Sequence, residues 1–338
     1  MSSTITRRKV LCGAAGGLAA AAILRRPAHA AEFSYKFASV LTPDHPMTLR
    51  TIEAAARIKE KSGGRLEITI YPNSALGADT SMLAQCVSGA VEMYALQGDL
   101  LAPRQPPAGI LGVGFAFPGY KEIWPAIDGD LGDFVRAQAE KSNMICLKRA
   151  YDHGFRQITS RNKPINVPAD LKGFKIRLPV APIPISIFKH LGAAPTALNF
   201  SEVYSALQTG VVDGQENPLV VIDTAKLYEV EKYCAITNHQ WACYHVAFNM
   251  DAWKRLPPDL QTLAETEFDA SALQERQDWM TSADTLQKTL ADKGLTFTHP
   301  EMAAFRAELS RTGFYPEMKA KMGDQAWALL EKYVGPLA

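Results

Sequence analysis

Residues 33 to 71 place the strongest constraint on the fold. Phe33, Tyr35 and Phe37 alternate with Ser34 and Lys36, the period of a strand with one face on a core. From Met47 to Ser62 the residues Leu49, Ile52, Ala55, Ala56 and Ile58 recur at helical spacing, and Gly63-Gly64 stops the run where a left-handed cap is wanted. Leu66, Ile68 and Ile70 then alternate again. A strand, a helix and a strand in so short a stretch form a βαβ unit, with parallel pairing and a right-handed crossover. The chain is therefore read as α/β.

The unit repeats. Asp79-Thr80-Ser81 can cap a helix to about Ser88, Gly89 ends it, and Val91 to Leu96 reads as the next strand. Further strands are predicted at Met144 to Ala150, Phe155 to Ser160 and Gly173 to Pro179. In the last, Phe174, Ile176 and Leu178 point one way and Lys175 and Arg177 the other, while Pro179 cannot continue a central ladder. Arg177 thus sits at the carboxyl end of its strand, where open α/β sheets bind ligands. Asn199 and Glu202 read as a capping box for a helix ending at Gly210. A helical pattern from Leu260 to about Lys293 sustains no heptad register and is assigned to a bridge between domains.

The N-terminus reads as an export address. Arg7-Arg8-Lys9 precedes an apolar, Ala- and Gly-rich stretch from Leu11 to Leu24, too short for a comfortable membrane span, and Ala28-His29-Ala30 is a small-x-small cleavage site. Paired arginines before a weakly hydrophobic run favour the twin-arginine route. Cleavage near Ala30 removes five positive charges and no acid, taking the formal charge from +1 to −4. No basic field for nucleic acid remains. Cys86, Cys146, Cys234 and Cys243 form no CxxC pair; Cys234 with Cys243 is the nearest pairing, and buried free thiols are expected. The sequence contains no HExxH, Walker A, GxSxG or complete GxGxxG. His239, Cys243 and His245 supply no zinc spacing, so neither metal nor cofactor is expected.

Several blocks carry a family resemblance: Gly173 to Pro179, Gly192-Ala193-Ala194-Pro195-Thr196, Phe200 to Gly210, Val211 to Pro218, Tyr71-Pro72 through Leu76-Gly77, and Thr237-Asn238-His239. Over about Phe33 to Pro300 the chain resembles the periplasmic solute-binding subunits of TRAP (tripartite ATP-independent periplasmic) transporters. The resemblance implies a periplasmic-binding-protein-like fold, with two α/β lobes joined by crossing strands and a long helix. The expected division puts 31–153 plus 243–282 in lobe I and 154–242 plus 283–338 in lobe II. It also implies a monomer that binds a small organic acid and hands it to membrane permease subunits, without catalysis. The runner-up is a ligand-presenting sensor subunit or a periplasmic enzyme on the same fold.

By the same resemblance Arg177 matches the carboxylate-clamping arginine, Arg156 a second arginine near that carboxylate, and Asn217 the asparagine that hydrogen-bonds it. An Arg fork grips a carboxylate in a way Lys cannot reproduce. Phe200 falls where the family sets a ring against the ligand. Asp79 and Gln97 align with polar pocket positions of the sialic-acid-binding branch, which has Glu in place of Gln97 and Asn in place of Val40. These departures remove partners for a polyhydroxylated sugar acid. Trp241, His239, His153 and Tyr151 are expected near the cleft as an apolar, partly aromatic wall. The favoured ligand is a monocarboxylate with an apolar or aromatic remainder.

Overall fold

The computed structural model describes residues 31–337, with the side chains of 281–284 excepted. The export address lies outside the described residues. Ten strands form a mixed sheet: β1 (Phe33–Ala38), β2 (Leu66–Tyr71), β3 (Met93–Leu96), β4 (Met144–Cys146), β5 (Tyr151–Ser160), β6 (Lys175–Leu178), β7 (Ala194–Ala197), β8 (Gly214–Pro218), β9 (Tyr233–Asn249) and β10 (Thr296–Thr298). Their order is β2-β1-β3-β9-β5-β8-β6-β7, with β4 and β10 also on β9. The predicted βαβ unit is present, β1 pairing in parallel with β2 from Phe33↔Leu66 to Ala38↔Tyr71.

The helix of that unit, Pro46–Lys61, buries a different face from the one read by apolar spacing. Met47, Thr48, Thr51, Ala54, Ala55 and Ile58 are buried, whereas Leu49 and Ile52 are exposed. Small side chains win this face because the long helix Pro258–Asp292 packs across it, Ser271 Oγ donating to the Arg50 carbonyl.

Strand β9 is the keystone. Its C-terminal part pairs antiparallel with β3 and β4, and its N-terminal part antiparallel with β5 and parallel with β10, so one 17-residue strand belongs to both halves of the sheet. One apolar core surrounds β1–β3 with the flanking helices and reaches Phe268 and Ala272 of the long helix. A second surrounds β6 with the helix Pro182–His190 and the C-terminal helices, from Ile176 and Phe188 to Phe314, Trp327 and Leu330. Ile123, Ile127, Leu131 and Val135 join this second core. The four cysteines among the described residues are free thiols, Cys86, Cys234 and Cys243 buried. Among the described residues no helix is long and apolar enough to cross a membrane.

Candidate ligand-binding site

The carboxyl end of β6 delivers Arg177, and its partner strands surround it. β6 is parallel to β7 and β8, placing Arg177 beside Thr196 and Gln215. The side chain is 1% exposed, and its Nε and Nη2 donate to the Leu198 carbonyl at 3.0 and 2.6 Å. Among the described residues it forms no ion pair. Burial lowers its pKa to about 10, against the pull of Asp79 and Glu216. The Phe200 ring lies over the guanidinium at 5.8 Å. A buried arginine without an acid is costly unless an anion completes it.

Arg156 on β5 is differently placed. Its Nε and Nη2 fork onto the Glu216 carboxylate, with Nη2 at 2.8 Å from Oε1, and Nη2 also reaches the Asn217 Oδ1 at 3.1 Å. Glu216 is also bonded by His239 Nε2 at 3.2 Å. Burial alone raises the Glu216 carboxyl, but Arg156 and His239 together hold it down at about 2. Asn217 Nδ2 donates to Gln215 Oε1 at 2.5 Å, which fixes the amide flip. Arg156 therefore brings a geometry to the site, while its charge is already matched.

Two residues three apart on β5, His153 and Arg156, line the same cavity, although strict alternation sends them to opposite faces. A register shift between Asp152 and Gly154, with Gly154 at φ 95°, inserts one extra residue and reverses the alternation. The cavity is about 20 Å³, room for a water molecule or two, and is lined also by Val40, Leu41, Leu100, Pro179, Val221 and Tyr244. Gln97 Nε2 and His153 Nδ1 are buried there with no hydrogen-bond partner. Burial, with Arg156 nearby, pushes the His153 pKa well down and keeps the ring neutral.

Asp79 spans from one half of the molecule to the other. It is the first residue of the helix Asp79–Ser88, and Ala78 takes the cap position, so its carboxylate is not that helix's cap. Instead both oxygens accept from the Phe200 N–H, at 3.0 and 3.2 Å, and Thr80 Oγ1 donates to Asn199 Oδ1 at 3.1 Å. Glu202 reaches back to the Asn199 N–H at 3.1 Å, as the capping-box reading predicts.

A profile described as bacterial extracellular solute-binding protein, family 7, matches residues 37–315. The chain belongs to this family. It is 30% identical over 339 residues to the C4-dicarboxylate-binding periplasmic protein DctP of Rhodobacter capsulatus, covering 96% of this chain and 98% of that one. An uncharacterized Sinorhizobium fredii protein is 34% identical over 278 residues, and there the match spans 51% of the relative. Among solved structures, a TRAP periplasmic solute binding protein from Sulfurospirillum deleyianum with bound succinate has 27% identity and a TM-score of 0.84, covering 90% of this chain and 99% of that one. One from Roseobacter denitrificans with bound L-galactonate has 28% identity and a TM-score of 0.83, with the same coverage.

Of the side chains expected in the site of this family 7 protein, Arg177, Arg156, Asn217, Phe200, Asp79, Gln97 and Val40 come together around one cavity. Trp241 does not. Trp241 and Tyr244 are three apart on a regular stretch of β9 and face opposite sides; Tyr244 lines the cavity, so the indole enters the second core against Phe117 and Trp124 and donates to Asp152 at 2.9 Å. Tyr151 is likewise in the core, its hydroxyl donating to the Phe268 carbonyl. His239 stands one layer behind, on Glu216 and the Thr237 hydroxyl. Only His153 of the expected aromatic wall lines the cavity. Tyr244 and Glu216 are the residues that sequence reasoning missed.

Proposed function

We propose that this protein is the periplasmic receptor of a TRAP transporter, and that it captures a short hydroxy- or keto-monocarboxylate between its two halves for delivery to a membrane permease. The observation that carries this reading is Arg177, buried at the carboxyl end of β6 and in no ion pair among the described residues. Arg156 is matched by Glu216, which leaves Arg177 as the one cavity cation in no ion pair among the described residues, so no surplus cation remains for a second carboxylate. Gln97 Nε2 calls for an acceptor on the ligand, which a hydroxyl or keto oxygen supplies. The small cavity and the Val40, Leu41, Leu100 and Val221 walls favour an aliphatic remainder over an aromatic one. Recognition is the whole chemistry: the ligand leaves unaltered.

Calorimetric titration with 2-oxobutanoate, succinate, galactonate and benzoate tests this. 2-Oxobutanoate should bind tightest, by about tenfold or more, since a ligand group left without its partner costs at least one hydrogen bond. Succinate, galactonate or benzoate as the tightest ligand overturns the assignment.

Closure follows the hinge motion of binding proteins, and the bonds from Asp79 to Phe200 and from Thr80 to Asn199 favour the closed state. In ligand-free Asp79→Ala the open population should rise about tenfold, the worth of one hydrogen bond to a charged group. Spin-label distances across the cleft report it. An unchanged distribution shows that these bonds do not latch the lobes.

A further inference from the structure

A second, larger cavity lies behind the acid site. Its volume is about 360 Å³, within the range of small-ligand sites, against about 20 Å³ for the acid cavity. The two share a wall: Asp152 and Gly154 line the larger cavity, while His153 between them lines the acid site, and Pro218 and Asn217 divide in the same way. Tyr120, Trp124, Phe155 and Trp279 supply aromatic surface, Leu219 and Leu286 aliphatic surface, and Met280, 77% exposed, stands at the rim.

Gln157 and Asn238 add polar groups to the lining, and Asp152 is the charged residue among the described ones. It is 1% exposed, accepting from the Gly154 N–H at 2.8 Å and from Trp241 Nε1. Behind it Glu275, fully buried, accepts from the Asp152 N–H at 2.9 Å and from Trp279 Nε1 at 2.8 Å. Neither acid makes an ion pair among the described residues. Arg276, the cation whose charge reaches both acids, is committed to Asp128. Burial pushes the Asp152 carboxyl up to about 6, against Tyr120, Trp241 and Arg276, and raises Glu275 well above its usual range. Two adjacent buried acids thus lack a counter-cation at the edge of a cavity with aromatic walls.

We propose that this cavity binds a small amine with an apolar body, its ammonium on Asp152 and its body against Phe155, Trp279 and Tyr120. Charge pairing with a buried acid and attraction to ring faces both select the cation over an uncharged isostere. The site is separate from the acid site and does not depend on the identity of the acid.

Calorimetric titration near neutral pH with benzylamine, and with benzyl alcohol as its uncharged counterpart, tests this. The amine should bind the full mature chain tighter by about tenfold or more. It should lose that advantage in Asp152→Asn and keep it in folded Arg177→Ala. Equal binding of the two probes, undiminished amine binding in Asp152→Asn, or its loss in Arg177→Ala overturns the proposal. The comparison in the wild-type protein needs no variant, so it decides the matter even where Asp152→Asn fails to fold.

Discussion

Arg177→Ala abolishes measurable binding of the acid while the protein remains folded. The carboxylate enters a desolvated site and loses the cavity guanidinium that forms no ion pair among the described residues. Removing one partner of a buried pair costs about 3–5 kcal/mol, or roughly three orders of magnitude in affinity. Stability moves far less, because two effects oppose. Burial holds the Arg177 pKa at about 10 instead of 12.5, so the ligand-free fold bears a penalty of order 3 kcal/mol for keeping the cation. The sign is that of a base with a lowered folded value: the penalty is present below about 10 and lifts only as pH rises through it. Against this, the Leu198 carbonyl loses both donors, which costs about 1–3 kcal/mol. Calorimetry and a melting curve on the same sample separate the two readouts. Affinity within a few fold of wild type refutes the clamp, and a collapsed melting temperature refutes the ligand-free penalty.

The sequence displays Arg177 because β6 is short and framed. Gly173 and Pro179 mark its ends, and Lys175 with Arg177 breaks an otherwise apolar run. The position of the side chain was legible; its company was not. Strand β9 carries no period of two, because it is buried on both faces along most of its length, so polar and apolar residues follow one another without alternation. Nothing in that run separates Tyr244, which the sequence reading leaves out, from Trp241, which it puts in the site, and only the pairing with β5 tells which face each one takes. Glu216 was hidden for another reason. It sits in a conspicuous block, Asp213 to Pro218, but its role depends on Arg156, sixty residues away, on a strand whose register shifts beside it. A bulge is a one-residue event that hydrophobic patterning does not register, yet here it decides which side chains share a cavity. Asp79 shows the same limit: its place at a helix start was readable, and its bond to Phe200 exists only because the two halves meet.

Glu216→Gln should be the most destabilising single change in the site. It leaves the Arg156 guanidinium, 4% exposed, without its counter-charge, and breaking a buried pair from one side costs about 3–5 kcal/mol. The loss should depend on pH in a defined direction. The Glu216 carboxyl is depressed from 4.5 to about 2 in the fold, so its contribution is fully present above about 4.5 and disappears as pH falls toward 2. That window corresponds to about 3 kcal/mol. Asp152, Glu275 and Glu231 act with the opposite sign, since their folded values are raised and protonation relieves them. The wild-type pH profile is therefore a composite, and only its difference from Glu216→Gln isolates this carboxylate. Urea midpoints measured from neutral pH down to pH about 3 should show a large gap that narrows as pH falls below about 4.5, where this carboxyl protonates in the unfolded chain while it stays ionised in the fold. A gap that stays constant across the window means that the carboxylate shapes the site through packing alone. A gap absent at neutral pH means that Arg156 is held by other groups. If the gap behaves as expected, ligand affinity in the variant should fall as well, because Arg156 loses the fork that aims it toward Asn217 and the bound carboxylate.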